Sequence, residues 1–197
     1  MTRILILGAN GQIARAATRL LLETTDARLT LYLRNASRLN ALEGNDRIRL
    51  VDGDVLDAAT LDGAVAGQDV VYANLSGTME RQAQAIVAAM TKAGVRRLIF
   101  VGSMGIYDEV PGQRFGSVLD PYRRSATVVE ASGLDYTIIR PAWLSDADEI
   151  AYGTTVKGEP FVNPGASVSR QSVADLVRRL IVNPAFGIGA SLGVHAA

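Results

Sequence analysis

The sequence predicts an α/β fold in which a doubly wound parallel sheet lies between two layers of helices. Short apolar runs alternate with amphipathic helical patterns from one end of the chain to the other. The apolar runs are continuous rather than alternating, which is typical of parallel strands that are buried on both faces. The length of 197 residues suits one domain with a sizeable core.

The periodicity predicts six strands and five helices. The predicted strands are Ile4–Leu7, Leu29–Leu33, Ile48–Val51, Val70–Ala73, Leu98–Val101 and Tyr136–Ile139. The predicted helices are Gln12–Glu23, Thr60–Ala66, Met79–Ala93, Pro121–Ser132 and Ser172–Ile181. Right-handed crossovers between such strands give a three-layer αβα arrangement. The weakly patterned stretches Asp108–Leu119 and Ser145–Ser167 are predicted as loops, either plain surface connections or segments near a substrate.

Composition excludes several classes of protein. Twenty basic and twenty acidic residues give a formal net charge of zero, which argues against a nucleic-acid binder and permits a monomer or a homodimer. The chain has no cysteine, so disulfides and thiolate metal sites are excluded. No other cluster has the spacing of metal ligands. With no signal-peptide pattern and no apolar run of roughly 18 residues, no membrane association and a cytoplasmic location are expected.

A glycine loop follows the first strand and opens the first helix, with the spacing G-x-x-G-x-x-A. Gly8 permits the tight turn, Gly11 lets the backbone approach a pyrophosphate, and Ala14 permits close packing of the helix on the strand. The helix N-terminus then offers free N–H groups to the phosphates of a dinucleotide. A tight turn without a ligand is the alternative. The pattern predicts a Rossmann-type fold with these cofactor contacts: Gly8, Asn10, Gly11, Gln12 and Ile13.

The end of the second strand indicates which dinucleotide is bound. An acidic residue there would bind the ribose hydroxyls and repel a 2′-phosphate, whereas this chain has Arg34, with Arg38 one helical turn later. The planar guanidinium donates two parallel hydrogen bonds to a phosphate. We therefore expect NADP rather than NAD. The less favoured alternative is that Arg34 is a solvated surface residue, and NAD then remains possible.

Two further strand ends contribute candidate contacts. After the third strand, Asp54 can accept a hydrogen bond from the adenine amino group while Val55 packs against the ring edge, although a turn or helix-capping aspartate fits this spacing equally well. After the fourth strand, Ala73, Asn74 and Leu75 allow the backbone to run beside the ribose.

Several of these motifs occur together in a known family. The chain resembles the atypical short-chain dehydrogenase/reductases, specifically their small NAD(P)H-binding, NmrA-like branch. The resemblance implies a Rossmann fold, a nicotinamide cofactor, and a nicotinamide pocket near Ser103 and the turn Pro141-Ala142-Trp143. The matching pieces are Gly8–Ala14, Arg34, Gly53–Val55, Val101–Ser103, Ser132–Pro141 and Val168–Ala174.

The usual catalytic unit of this superfamily, a serine with Tyr-x-x-x-Lys, is incomplete here. No tyrosine of the chain is followed by lysine four residues later. Tyr136 and Arg140 have the spacing but lie on a predicted strand. Members of the branch often carry a lysine ten residues before Ser132, and this position is Tyr122. The resemblance therefore implies that Tyr122 faces the nicotinamide ribose, where it can donate a hydrogen bond but supplies no positive charge.

Ser103 and Tyr107 are the other candidate catalytic residues. Ser103 follows the fifth strand, at the sheet edge where ligands bind in such folds, and Tyr107 lies in the same loop. Either can donate a hydrogen bond to a substrate carbonyl, and either can instead be a structural loop residue. Trp143 is a candidate wall of the substrate cleft, whereas His195 is assigned no role.

These residues predict an NAD(P)H-dependent oxidoreductase that transfers hydride to a small organic acceptor such as a quinone, a flavin or a carbonyl compound. The alternative is a catalytically weak, NADP(H)-sensing regulatory protein, since the lysine is missing. An epimerase or dehydratase is a third possibility, but only residues 142–197 follow Pro141. We expect one NAD(P)-binding domain over 1–197, with a small substrate-cleft portion at about 141–197.

Overall fold

The computed structural model describes all residues from Met1 to Ala197. The strands are β1 (Arg3–Leu7), β2 (Arg28–Leu33), β3 (Ile48–Asp52), β4 (Val70–Ala73), β5 (Arg97–Val101), β6 (Asp135–Pro141), β7 (Trp143–Ser145), β8 (Tyr152–Val156), β9 (Ser167–Ser169) and β10 (Ala190–Ala196). The helices are α1 (Gln12–Thr24), α2 (Ala58–Val65), α3 (Met79–Ala93), α4 (Asp120–Glu130) and α5 (Arg170–Val182). Two 3-10 segments cover Ala36–Leu42 and Gly116–Leu119.

The main sheet has the order β3-β2-β1-β4-β5-β6-β10-β8. Its strands pair in parallel, except that β8 runs antiparallel to β10 at the edge. Strands β7 and β9 form a separate two-stranded parallel ladder beyond the carboxyl end of β6. An antiparallel edge strand on an otherwise parallel sheet is common in such folds. The predicted doubly wound fold is therefore confirmed, with the correction that the sheet is mostly rather than wholly parallel.

Helices cover both faces of the sheet. On one face α1 packs against α5, and on the other α3 packs against both α2 and α4. One buried cluster lies on each face, with Ile6 in the first and Leu5 in the second, because neighbouring strand residues point to opposite sides. The layers αβα and the single domain are as the sequence predicts. No helix has the length and apolar character needed to cross a membrane.

The strands missed by the sequence analysis all follow Pro141. Strand β8 lies inside Ser145–Ser167, which was predicted as a loop, and this prediction is wrong. Its sequence, YGTTV, lacks a continuous apolar run because β8 is an edge strand with exposed positions. Strand β10, ASLGVHA, has small residues where a strand pattern needs large ones, and it places His195 at a buried position.

A network of buried hydrogen bonds fastens β6, β10 and the loop after β5. The Arg140 side chain is 0% exposed and forms an ion pair with Glu109. Its guanidinium also donates to the side chain and the carbonyl of Ser191 on β10. The Glu109 carboxylate in turn accepts the N–H groups of Gly105 and Tyr107, each at 2.9 Å. Because its polar groups are paired, the ion pair can remain buried in this part of the core.

Candidate functional site

A cleft of about 540 Å³ opens at the carboxyl ends of the first four strands. This is the edge at which ligands bind in doubly wound sheets. Arg38 also lines the cleft, and it lies in the 3-10 segment Ala36–Leu42 rather than one α-helical turn after Arg34. The structure brings together these predicted cofactor residues in its lining: Gly8, Asn10, Gly11, Arg34, Asp54, Val55, Asn74 and Leu75.

The glycine loop is held tightly against the end of β4. Gly8 has a positive φ of 74°, and a Cβ there would overlap the backbone oxygen of Asn74. A Cβ on Gly11 would overlap the side-chain amide of Asn74. The N–H of Gly8 donates to the carbonyl of Tyr32 at 3.0 Å. Gly8 is therefore required by the chain's own packing, before any ligand is considered, whereas a side chain at Gly11 would only have to displace the Asn74 amide.

The N-terminus of α1 faces the cleft without a protein cap. Gly11 is its N-cap residue and no side chain caps the helix. The first N–H groups, including those of Gln12 and Ile13, are therefore available to an anion, and the helix dipole favours one. Ile13 is buried, so its contribution would be the backbone alone. The Gln12 side chain lies outside this cleft, in a neighbouring groove.

An aspartate at the end of β3 shapes the turn that carries the two arginines. The Asp52 carboxylate accepts the N–H groups of Asn35 at 3.1 Å and Ala36 at 3.0 Å, and Asn35 has a positive φ of 63°. The turn is therefore fixed through its backbone, and the Arg34 side chain is left 83% exposed. Its nearest charged partner is Asp54, at 4.0 Å.

Tyr32 lines the cleft and supports the turn at Asp54, a role that its sequence position does not indicate. Its hydroxyl donates to the backbone oxygen of Asp54 at 2.7 Å, and its ring fills the space a Cβ on Gly53 would need. Burial, with the nearby aspartates, raises the pKa of Tyr32 to about 12, so it remains a donor. Asp54 also accepts the N–H of Leu56 at 2.9 Å, which fits the turn aspartate that the sequence left open.

Other cleft residues had no detectable sequence signal because their position depends on strand adjacency. None belongs to a motif with its own spacing. They are Leu33, Asn35 and Gln82. Ala73, by contrast, was predicted, and it is buried at the end of β4, where only its backbone can meet a ligand.

The predicted nicotinamide residues lie farther along the same sheet edge. The N–H of Gly102 donates to the carbonyl of Ile139 at 2.7 Å, and the N–H of Met104 donates to the carbonyl of Pro141 at 3.2 Å. Ser103 therefore lies beside the end of β6. The Ser103 hydroxyl donates to the carbonyl of Met104 at 3.1 Å. Pro141 and Ala142 are buried there, while Trp143 is 56% exposed at the start of β7. The residues of this group do not line the cleft of the glycine loop.

Tyr122 lies in the first turn of α4, and the two arginines that follow it on this helix, Arg123 and Arg124, are paired with carboxylates elsewhere. Its side chain is partly buried against the core of the α3 and α4 face. The neighbouring Arg123 donates instead to the carbonyls of Gly105 and Gly116 and pairs with Asp108 at 3.1 Å. Arg123 therefore ties down the loop after β5 and does not replace the missing lysine.

The Tyr107 side chain already contacts Glu130 and Lys157. Its hydroxyl donates to the Glu130 carboxylate at 2.6 Å, and the Lys157 ammonium lies 4.3 Å from the centre of its ring. Burial and this carboxylate raise the pKa of Tyr107 well above its ordinary value. The side chain would have to leave this hydrogen bond to reach a substrate, so a catalytic role for Tyr107 stays a prediction.

Comparison with solved structures places the chain among NAD(P)-binding proteins. A Rossmann-fold NAD(P)-binding family protein from Shigella flexneri is 42% identical, with a TM-score of 0.88 over 100% of this chain and 94% of that one. A wide-type short-chain dehydrogenase/reductase from Veillonella parvula, solved in complex with NADP, is 28% identical, with a TM-score of 0.89 over 98% of this chain and 94% of that one.

Among curated proteins, the chain is similar to a (4-alkanoyl-5-oxo-2,5-dihydrofuran-3-yl)methyl phosphate reductase from Streptomyces griseus. The two are 29% identical over 138 residues, which are 70% of this chain but only 46% of that reductase. The matching region therefore spans about half of the curated relative. The model of a family described as NAD(P)H-binding matches residues 8–184. The chain thus belongs to this NAD(P)H-binding family, as its resemblance to the atypical short-chain dehydrogenase/reductases predicts.

Proposed function

We propose that this protein is an NADPH-dependent reductase that transfers hydride to a small organic acceptor, such as a quinone, a flavin or a carbonyl compound. The observation that carries the cofactor assignment is the pair Arg34 and Arg38, which line the cleft of the glycine loop where a 2′-phosphate would lie. The similarity to a curated reductase and to a protein solved with NADP supports this proposal.

The cofactor would lie across the sheet edge. Its pyrophosphate would accept hydrogen bonds from the free N–H groups at the start of α1. Arg34 and Arg38 would donate to the 2′-phosphate. Asp54 and Val55 would bound the adenine, and the backbone of Ala73–Leu75 would run beside the ribose.

The bound cofactor supplies the hydride. Ser103 would orient the acceptor with its hydroxyl, which now donates only to a neighbouring carbonyl. Tyr122 would hold the nicotinamide ribose by a hydrogen bond, and Trp143 would cover the exposed side of the acceptor. Quinones and flavins suit this arrangement because they can take their proton from solvent, and the site then needs no acidic side chain.

The experiment is a titration of the purified protein with NADPH and NADH, followed by an assay of NADPH oxidation with quinone, flavin and carbonyl acceptors. We expect tighter binding of NADPH and oxidation that depends on the acceptor. Ser103→Ala should lower kcat/KM by about tenfold, the equivalent of one hydrogen bond to the acceptor. Ser117→Ala, in the exposed 3-10 segment, is the matched control. Absence of NADPH binding would refute the proposal at its first step.

A regulatory protein that senses the NADP(H) ratio is the second candidate. Tyr122 in place of the lysine is the observation that favours it, because the ordinary proton relay is then incomplete. This function predicts tight NADPH binding, no oxidation with any acceptor, and a partner whose affinity differs between the NADP and NADPH complexes. Equal partner affinity in the two complexes would exclude it.

Three expectations of the sequence accompany the proposal and stay predictions. The segment from about 141 to 197 is proposed to supply the substrate side of the site, although its strands β8 and β10 also complete the main sheet. A monomer or homodimer is expected, as is a cytoplasmic location. Gel filtration with light scattering and fractionation of the producing cells would test them.

A further inference from the structure

A second groove lies along the outer face of α1. It runs between the 3-10 segment Ala36–Leu42 and the corner where Asp146 meets Arg170 at 2.8 Å. Its volume, about 600 Å³, is comparable to the 540 Å³ of the cofactor cleft. The two cavities share a single lining residue, Arg38.

The groove combines an apolar floor with a cationic rim. Its floor includes Leu31 and Leu39, which are 0% and 6% exposed. The rim carries three exposed arginines that form no ion pair with any carboxylate of the chain: Arg15, Arg19 and Arg38. The lining contains two acidic residues, Glu23 and Asp146, and Asp146 is already paired with Arg170. The groove therefore has an excess of positive charge beside an apolar surface.

Two buried polar groups of the same lining have no hydrogen-bond partner. Thr18 is 4% exposed and its hydroxyl is unpaired, as is the Nε of Arg170. A buried polar group without a partner costs free energy. Neither atom is exposed in the groove, so the arginines of the rim and the apolar floor carry the assignment of its occupant.

We infer that this groove binds a small organic anion, namely a carboxylate attached to an apolar acyl or aromatic body. The carboxylate would pair with Arg15 and Arg19, and the apolar body would cover the leucines of the floor. Ser103, Tyr122 and Trp143, the residues proposed to meet the hydride acceptor, do not line the groove, so on the proposed function its occupant is a different molecule. The groove is therefore an effector site, separate from the chemistry.

Arg38 couples the effector site to the cofactor, a step that rests on the proposed NADP site. A 2′-phosphate in the cleft draws the Arg38 guanidinium away from the groove, which then has one positive charge fewer near the carboxylate held by Arg15 and Arg19. NAD, which has no 2′-phosphate, leaves Arg38 in place. By linkage, the organic anion weakens the binding of NADP by the same factor.

The groove itself is tested without cofactor, by calorimetric titration with decanoate below its micelle concentration. Decanoate should bind, with affinity that falls as salt rises, while acetate and decylammonium should not. Arg19→Gln should weaken decanoate binding about tenfold, the size of one charge-assisted hydrogen bond at a partly exposed site. Arg49→Gln, an exposed arginine on β3, should leave the affinity unchanged. Failure of decanoate to bind, or equal affinity in Arg19→Gln, would overturn the inference.

The groove could instead be covered by a second copy of the chain. Sedimentation over a range of protein concentrations distinguishes a bound anion from a second copy of the chain. The variant is Leu22→Glu, because Leu22 is half-buried in the lining of the groove. A dimer that Leu22→Glu abolishes, and that decanoate does not displace, would overturn the effector assignment. A monomer, or a dimer that Leu22→Glu leaves intact, excludes a second copy as the occupant.

The coupling is tested by repeating the decanoate titration with saturating NADP⁺ and with saturating NAD⁺. NADP⁺ should weaken decanoate binding severalfold and NAD⁺ should not. If NADP⁺ does not bind in a separate titration, the proposed function fails while the decanoate result stands. If NADP⁺ binds and the decanoate affinity is unchanged, the shared role of Arg38 is refuted.

Discussion

The two ends of the sheet use arginine in opposite ways. At the β2 end, the Arg34 side chain is 83% exposed and lies no closer than 4.0 Å to a carboxylate. At the β6 end, the Arg140 side chain is 0% exposed, paired with Glu109 and bonded to Ser191. Arginine is thus a candidate ligand contact at one end of the sheet, whereas at the other end it holds β6, β10 and the loop after β5 together.

The difference comes from what covers each strand end. After β2 the chain turns through a short 3-10 segment held by the Asp52 carboxylate, which binds backbone groups and leaves the side chains free. After β5 a longer loop folds back over β6 and brings Glu109 onto Arg140. Arginines whose donors are already satisfied by the protein are therefore poor candidates for a ligand, whatever their place in a motif.

The largest expected effect is a loss of stability when the buried ion pair between Arg140 and Glu109 is broken. Arg140→Met should lower the free energy of unfolding by about 3–5 kcal/mol, because it leaves the Glu109 carboxylate buried without its partner. Arg34→Met, at the exposed end, should change it by less than about 0.5 kcal/mol. Urea denaturation of both variants measures the contrast. A cost for Arg140→Met as small as that for Arg34→Met would contradict this account.

The next effect concerns binding at the exposed end. Arg34→Ala should weaken NADPH roughly 10–100-fold, since a phosphate loses a charge-assisted contact, and leave NADH nearly unchanged. The measurement is fluorescence titration with both cofactors, with Arg49→Ala as the control on the neighbouring strand. Equal losses for NADPH and NADH would show that Arg34 contacts some other part of the dinucleotide.

Two buried tyrosines test how much a hydrogen-bond partner matters for a buried hydroxyl, because Tyr32 has such a partner and Tyr72 has none. Tyr32 donates to Asp54, so Tyr32→Phe should lower the free energy of unfolding by about 1 kcal/mol. The Tyr72 hydroxyl is buried without a partner, so Tyr72→Phe should be neutral or stabilise by up to about 1–2 kcal/mol. Thermal and urea unfolding measure both. A clear destabilisation by Tyr72→Phe would mean that this hydroxyl has an unrecognised partner.

The smallest effect is a pH dependence at the opposite edge of the sheet. A hydrogen bond from the Arg96 guanidinium lowers the pKa of Asp135 below its ordinary value. The pair therefore stabilises the fold above the ordinary pKa of an aspartate, and this contribution is lost as pH falls through the lower folded-state pKa. Asp135→Asn should flatten this part of the stability curve, by less than the effect of Tyr32→Phe, since the pair is exposed. An unchanged slope on acid titration would show that the pair contributes nothing.

The fold and the cleft at the ends of β1 to β4 were predictable from the sequence for the same reason. The glycine loop, Arg34, Asp54 and Asn74 each follow a strand with a strong apolar run, so their order along the chain fixes their place on the sheet edge. The last four strands were missed because β7 and β9 have only three residues each, β8 is half exposed and β10 is built largely from small residues. Tyr32 was read only as a strand residue, since its hydrogen bond to Asp54 spans 22 positions.

By itself, the sequence determined the layer order of the fold, the glycine loop after the first strand and the absence of the Tyr-x-x-x-Lys unit, since each depends on residues close together in the chain. Only the tertiary structure decided which arginines are free, that Tyr107 is bound to Glu130, and that a second groove shares Arg38 with the cleft. These features depend on which side chains meet across distant segments. Local propensity carries no information about such contacts, because burial and hydrogen bonding are settled when the layers pack together.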